Sequence, residues 1–231
     1  MMSDTHGRLA GRCGLKLSVS RDGHLLFVGD AVPDALVARL IDAVERSPRA
    51  AAPDLEPPVL AACCAILEPA CGPIAVRAGP YYVFGPDVRA HELATVVRSD
   101  CGDADLLRAR NPGNWAAREW SDLLDGALGP WAMALHDGQV VSICHTPRPL
   151  TERAAECGVW THPEFRGRGL AAEVAAVWAE ILRPSGRVLF YSTNRENIAS
   201  RRVAARLELR EIGWTWNLEP TAPGLCHSRR A

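Results

Sequence analysis

Apolar residues in this chain recur with two periods, and the alternation between them sketches a mixed α/β protein. Leu15 to Ser20 and Leu25 to Gly29 flank Arg21-Asp22-Gly23-His24. Asp-Gly between apolar runs signals a tight hairpin, because glycine accepts the positive φ such a turn needs. Pro33 opens a helical pattern with Leu36, Leu40, Ile41 and Val44 on one face. The proline-dense stretch 48–58 reads as a loop and precedes a short apolar run ending at Leu67. Two strands are expected next, Ile74 to Arg77 and Tyr81 to Phe84, separated by glycine and proline.

The second half is patterned more sharply. Trp115 to Leu124 has helical spacing, with Asn114 as its expected N-cap. Trp131 to Leu135 and Gln139 to Cys144 flank His136-Asp137-Gly138, a second hairpin. Cys157 to Thr161 reads as a strand. Leu170, Val174, Val177, Trp178, Ile181 and Leu182 then form one apolar helix face. Arg187 to Ser192 is a buried type of strand, and Asn197 to Leu207 a helix with Ala199, Val203 and Leu207 in line. Strand, helix, strand, helix implies a parallel pair joined by a right-handed crossover. The chain is read as two regions: 1–100, mixed α/β without a motif that carries chemistry, and 101–231. Neither an internal repeat nor a low-complexity tract stands out.

Composition narrows the setting. The chain has 231 residues, 48% of them hydrophobic and 23% charged, with 26 basic against 27 acidic residues. It can bury a core, and its near-neutral charge argues against nucleic acid or an anionic membrane as partner. Val59 to Leu67, the longest apolar run, is about half the roughly 18 residues a membrane span needs. No signal-like apolar run follows the first residues, so a soluble, cytoplasmic protein is expected. Eight cysteines are present. None forms Cys-x-x-Cys, which leaves a metal site without support, and reduced buried thiols are expected. Lys16 is the sole lysine, a bias that looks like base composition.

Chemistry concentrates after Glu156. Arg166-Gly167-Arg168-Gly169-Leu170-Ala171 stands between a strand and a long helix. Glycines there let the backbone approach a ligand, and the first N–H groups of the helix lack partners. Those groups and the helix dipole favour a phosphate or pyrophosphate, with Arg166 and Arg168 adding charge. A P-loop would need Gly-Lys-Ser/Thr, which the chain lacks here, and a dinucleotide fingerprint would need a third glycine where Ala171 stands.

Thr161-His162-Pro163-Glu164-Phe165-Arg166-Gly167-Arg168-Gly169-Leu170-Ala171 resembles the acetyl-coenzyme A signature of the GNAT superfamily of N-acetyltransferases. Asn194 to Ala204, with Asn197 and Ser200, looks like its second half on the helix after the next strand. The resemblance covers roughly residues 112 to 215. It implies a mixed central sheet with a V-shaped splay between two parallel strands, flanked by helices and preceded by an N-terminal α/β region. That region would supply part of the acceptor pocket or be a degenerate half of the same fold. The resemblance further implies acetyl-CoA as donor, a small-molecule or peptide amine as acceptor and direct transfer in a ternary complex. An oligomer is left open. Backbone N–H groups of Arg168, Gly169, Leu170 and Ala171 would hold the pyrophosphate, with Arg166 and Gly167 shaping the turn. Trp160 and Thr161 would pair with the pantetheine like an added strand, and Asn197 and Ser200 would bind its other side.

Acyl transfer needs a free amine. Glu156 and His145, at strand ends, are the candidate bases. The family's helix tyrosine falls at Ala204 and its helix-end glycine at Glu208, so the proton for the departing thiolate has no assigned donor; Tyr191 or water are alternatives. A non-catalytic acyl-CoA-binding module and a transferase of longer acyl groups are the rival readings.

Overall fold

The computed structural model describes residues 6–9, 13–48, 50–147 and 151–221. Its elements follow the order β1 (His6–Leu9), β2 (Leu15–Val19), β3 (His24–Gly29), α1 (Asp34–Arg46), α2 (Leu60–Cys71), β4 (Ile74–Val83) and β5 (Thr95–Arg98). Then come α3 (Ala117–Leu124), β6 (Ala132–His136), β7 (Gln139–His145), β8 (Ala154–Thr161), α4 (Leu170–Leu182), β9 (Val188–Ser192), α5 (Ile198–Arg206) and β10 (Arg210–Pro220). Two compact units result. One holds the chain through Tyr81, Asn194–Glu196 and the chain from Ile212; the other holds Tyr82–Thr193 and Asn197–Glu211.

In the first unit the strands neighbour one another in the order β1-β3-β2-β10-β4. β2 runs antiparallel to both β3 and β10, so Leu17 faces Leu26 on one side and Trp216 on the other. The expected hairpin closes with Ser20 N–H donating to Gly23 O at 2.9 Å. Leu17, Leu26, Leu40, Leu60, Leu67 and Leu218 form the fully buried centre. The apolar run ending at Leu67 is the start of α2. Leu60, Cys63, Leu67 and Cys71 are buried at helical spacing, a period too short a run does not reveal. The two strands expected around Gly79-Pro80 are one, β4, because proline fits an extended backbone and removes only a donor. Cys13 and Cys71 are joined in a disulfide, Cα atoms 6.2 Å apart, which corrects the expectation of reduced thiols throughout. Arg195 lies with its guanidinium 4.9 Å from the Trp214 ring and 5.1 Å from the Trp216 ring, and donates to Asp54 O at 2.7 Å.

In the second unit the order is β4-β9-β8-β7-β6-β5. β5 through β8 are antiparallel and β8 is parallel to β9, so the mixed α/β class is the expected one. Side chains alternate between two cores. Ala132, Ala134 and Cys144 face α4, whose Ala175, Ala176 and Ala179 allow close approach. Met133 and Ile143 face the other way, onto Trp120, Leu123 and Trp131. The β6–β7 turn places Asp137 and Gly138 at φ 48° and 76°, the paired left-handed residues of a two-residue hairpin. α3 begins later than its expected cap Asn114. Instead Asn111 organises the turn, accepting from Gly113 N–H and donating to Trp115 O, while Glu119 accepts the Ala116 N–H. Among the described residues no helix is long and apolar enough to cross a membrane, and no cluster of His, Cys, Asp and Glu has the makings of a metal site.

Candidate functional site

β8 changes partners halfway. Ala154 to Cys157 pair with Val188 to Tyr191 of β9, and Gly158 to Thr161 pair with His145 to Ser142 of β7. Beyond Cys157 and Tyr191 the two parallel strands therefore part, leaving the V-shaped gap that the resemblance implies. His162 N–H donates to Val141 O at 2.9 Å, which makes those two residues a hydrogen-bonded pair. Antiparallel alternation then turns the backbone groups of Trp160 and Gly158 toward β7, and those of Val159 and Thr161 into the gap. Side chains agree. Trp160 O also accepts from Ser142 Oγ on β7 at 3.0 Å, whereas Thr161 O accepts from Arg166 Nε at 3.3 Å. Of the two residues expected on this edge, Thr161 is there and Trp160 is not; Val159 takes its place. Ser142, fully buried, gives its proton to Trp160 O and lies 2.8 Å from Thr161 Oγ1, so it fixes the edge from behind.

Past Thr161 the chain turns sharply into α4. His162 Nδ1 accepts the Glu164 N–H, Gly167 and Gly169 take φ of 78° and 85°, and α4 starts without a side-chain cap. Gly169 O receives the N–H groups of Ala172 and Glu173. The N–H groups of Gly169, Leu170 and Ala171 find no partner among the described residues, as the first turn of an uncapped helix requires. Arg166 and Arg168 fold back on the loop, the latter over the Phe165 ring at 4.7 Å and onto Glu164 O at 3.2 Å. A third arginine comes from α5. A Cβ on Gly169 would sit 2.6 Å from Arg206 Nη1. A cation beside the positive end of a helix is repelled unless an anion lies between them.

Glu156 and His145 share a sheet face. Glu156, Gly158 and Trp160 alternate onto one side of β8, and His145 pairs directly with Gly158, which puts Glu156 diagonally across at about 7–8 Å. Ser192 Oγ donates to Glu156 Oε1. His145 stands edge-on to Trp115, ring centroids 4.9 Å apart. Burial pushes its pKa below the usual 6.5, a shift that a backbone hydrogen bond at Thr146 partly opposes. At pH 7 its imidazole is therefore neutral, and buried Nδ1, like Trp115 Nε1, has no hydrogen-bond partner.

On α5, Asn197 Oδ1 accepts the Ser200 N–H at 3.0 Å, so the residue caps the helix and keeps its amide NH2 for other use. Ser200 Oγ lies 2.6 Å from the Tyr191 hydroxyl. Burial raises the Tyr191 pKa, so this phenol keeps its proton. It reaches α5 one turn before buried Ala204. Ser142, Ser192 and Val159 were not singled out in the sequence, since only the strand register gives them meaning.

Residues 86–210 match the family described as "Acetyltransferase (GNAT) domain". Among curated proteins none matches. A GNAT-family acetyltransferase from Colwellia psychrerythraea has the same fold at 14% identity and a TM-score of 0.51, over 89% of this chain and 81% of its own. A GCN5-related N-acetyltransferase-like protein from Streptococcus suis 89/1591 aligns at 18% identity and a TM-score of 0.48, over 90% of this chain and 89% of its own. The match to a GNAT-family protein from Novosphingobium aromaticivorans DSM 12444, 21% identical at a TM-score of 0.47, covers 64% of this chain and just under two thirds, 66%, of that one. With the family match spanning more than half of the sequence and this gapped sheet beneath it, the chain belongs to the GNAT acetyltransferase family.

Proposed function

We propose that the protein moves an acetyl group from acetyl-CoA to a primary amine of a small molecule or peptide, by direct attack within a ternary complex. The observation that carries this reading is the parting of β8 from β9 after Cys157 and Tyr191, beside the uncapped start of α4. Acetyl-CoA, the donor typical of the family, supplies an acyl group already activated as a thioester.

Each wall of the gap has a task. The N–H groups of Arg168, Gly169, Leu170 and Ala171 bind the pyrophosphate, where helix dipole and unpaired donors act together. Val159 and Thr161 pair with pantetheine amides as an added strand would. Asn197 donates from its amide NH2, and Ser200, whose hydroxyl lies 2.6 Å from that of Tyr191, binds beside it. A lysine-like amine, pKa about 10.4, costs on the order of 4 to 5 kcal/mol to deprotonate at pH 7. Neutral His145 and Glu156, on one face of the sheet, offset part of that cost by taking the proton. The N–H of Val159, the first residue freed from β9, meets the charge that develops on the acyl oxygen.

Thermal shift with acetyl-CoA and thiol release across a library of primary amines test the proposal together. A raised melting temperature and release with at least one amine are expected. Absence of any acetyl-CoA-dependent shift overturns it.

A further inference from the structure

The sheet face that carries Glu156 and His145 is apolar around them. Ala155, Cys157, Leu189 and Tyr191 turn to the core under α4, so by alternation Glu156, Phe190 and Val188 turn to the opposite face. Phe190 is the ladder partner of Glu156, and Val188 lies two residues before it on the same side. Gly158 follows Glu156 on this face, and a Cβ there would sit 3.0 Å from Pro147 Cγ. The Pro147 ring therefore lies over Gly158, between Glu156 and the next side chain along β8. Beyond His145 the Trp115 ring closes the row, edge-on at 4.9 Å between centroids.

Two properties of this row bear on what it binds. Val188 is 47% exposed, Pro147 is exposed, and Phe190 and Trp115 are half-buried. Single exposed apolar side chains are ordinary, but several gathered around one carboxylate mark a surface that a ligand covers. Charge is the second property. Glu156 supplies the only carboxylate among these residues, and His145 is neutral at pH 7. Trp115 Nε1 is buried, so that ring offers carbon to its surroundings. A ligand held here gains from one ammonium beside Glu156 and from apolar atoms along the rest. A second charge of either sign gains nothing: a further ammonium meets no second carboxylate in the row, and an anion meets Glu156 itself. Such a charge, set against apolar side chains, forfeits its hydration.

We infer that the acceptor is a monoamine on an apolar body, alkyl or arylalkyl, with its nitrogen at Glu156 and its body against the row of Phe190, Pro147 and Trp115. The inference rests on the proposed transfer to a primary amine, and it names the class of that amine.

Steady-state thiol release from acetyl-CoA by the full chain tests it with two sets of amines. Across n-alkylamines from ethyl to hexyl, kcat/KM should rise roughly threefold to fourfold per methylene, the gain from burying one CH2. Hexylamine, hexamethylenediamine and ε-aminocaproate are similar in length but end in a methyl, an ammonium and a carboxylate. Hexylamine should be the best of the three by roughly tenfold or more. Phe190→Ala and Trp115→Ala should each flatten the rise with chain length, through KM more than kcat. Their calorimetric affinity for acetyl-CoA should stay that of the unsubstituted protein, which shows that they fold. A series indifferent to chain length overturns the inference, as does a charged-end amine that matches or exceeds hexylamine. No release with any of these amines from a protein that binds acetyl-CoA overturns it too. Absence of acetyl-CoA binding is the separate result that ends the transfer reading itself.

Discussion

Ser192 donates a hydrogen bond to the Glu156 carboxylate at the place where β8 and β9 separate. Glu156 pairs with Phe190 in the ladder, so Ser192 lies two residues further toward the gap, on the same face. The serine fixes the carboxylate in position at the mouth of the gap. Glu156→Gln should lower kcat by a hundredfold or more, the usual contribution of a general base, with little change in KM for acetyl-CoA. Ser192→Ala should act in the same direction and more weakly, and should add nothing to Glu156→Gln. Steady-state thiol release with an accepted amine measures all three. Unaltered turnover in Glu156→Gln leaves His145 as the base.

Gly167 and Gly169 separate backbone strain from binding. Both have left-handed φ, so alanine at either should reduce stability by about 1 kcal/mol. Nothing lies within 4 Å of a Cβ on Gly167, whereas one on Gly169 meets the Arg206 guanidinium. That guanidinium ends a flexible chain and swings aside at little cost to folding, but it then leaves the α4 mouth. Urea unfolding should find the two alanine variants similar, and titration with acetyl-CoA should find Gly169→Ala the weaker binder. Equal affinities would mean that Arg206 does not act there.

The helices and hairpins around the gap were legible because their signals are local. Leu170 to Leu182 sit on a 3.6-residue period, and Asp137-Gly138 can hardly be other than a turn. The glycine-rich entry to α4 was legible for the same reason. Which backbone edge of β8 is free was not, since it depends on Val141 facing His162 across another strand. Arg206 was missed because its meaning comes from Gly169, 37 residues away in sequence. α2 was blurred by an apolar run too short to show its period, and the Cys13–Cys71 pairing by a separation of 58 residues.

Reduction of that disulfide should be felt in the first unit, to which both cysteines belong. Closing a loop of this length restricts the unfolded chain, an effect of roughly 2–4 kcal/mol. Dithiothreitol should therefore lower the melting temperature of the unsubstituted protein, and Cys13→Ser should melt at the reduced protein's temperature with or without reductant. Identical melting curves for oxidised and reduced protein would show that the bond is absent in solution or adds nothing.

His145 gives the fold an acid limb. Its pKa is held below 6.5 by burial, so the unfolded chain binds a proton at a pH where the folded one does not. Above about pH 6.5 both states are neutral and the full stability is present. Below it the unfolded state gains the proton first, and stability falls by up to about 1.4 kcal/mol per pH unit until the folded pKa is reached. Replacing the imidazole by an amide removes the difference. Stability measured by urea from pH 7.5 to 5 should decline less steeply in His145→Asn than in the unsubstituted protein, the other histidines contributing equally to both. Activity adds a separate readout. If His145 takes the proton from the amine, kcat follows its neutral form, and the acid limb of the unsubstituted enzyme should lie below pH 6.5 and be lost with the imidazole. If Glu156 does so alone, the stability slope changes in His145→Asn while the shape of the rate profile does not.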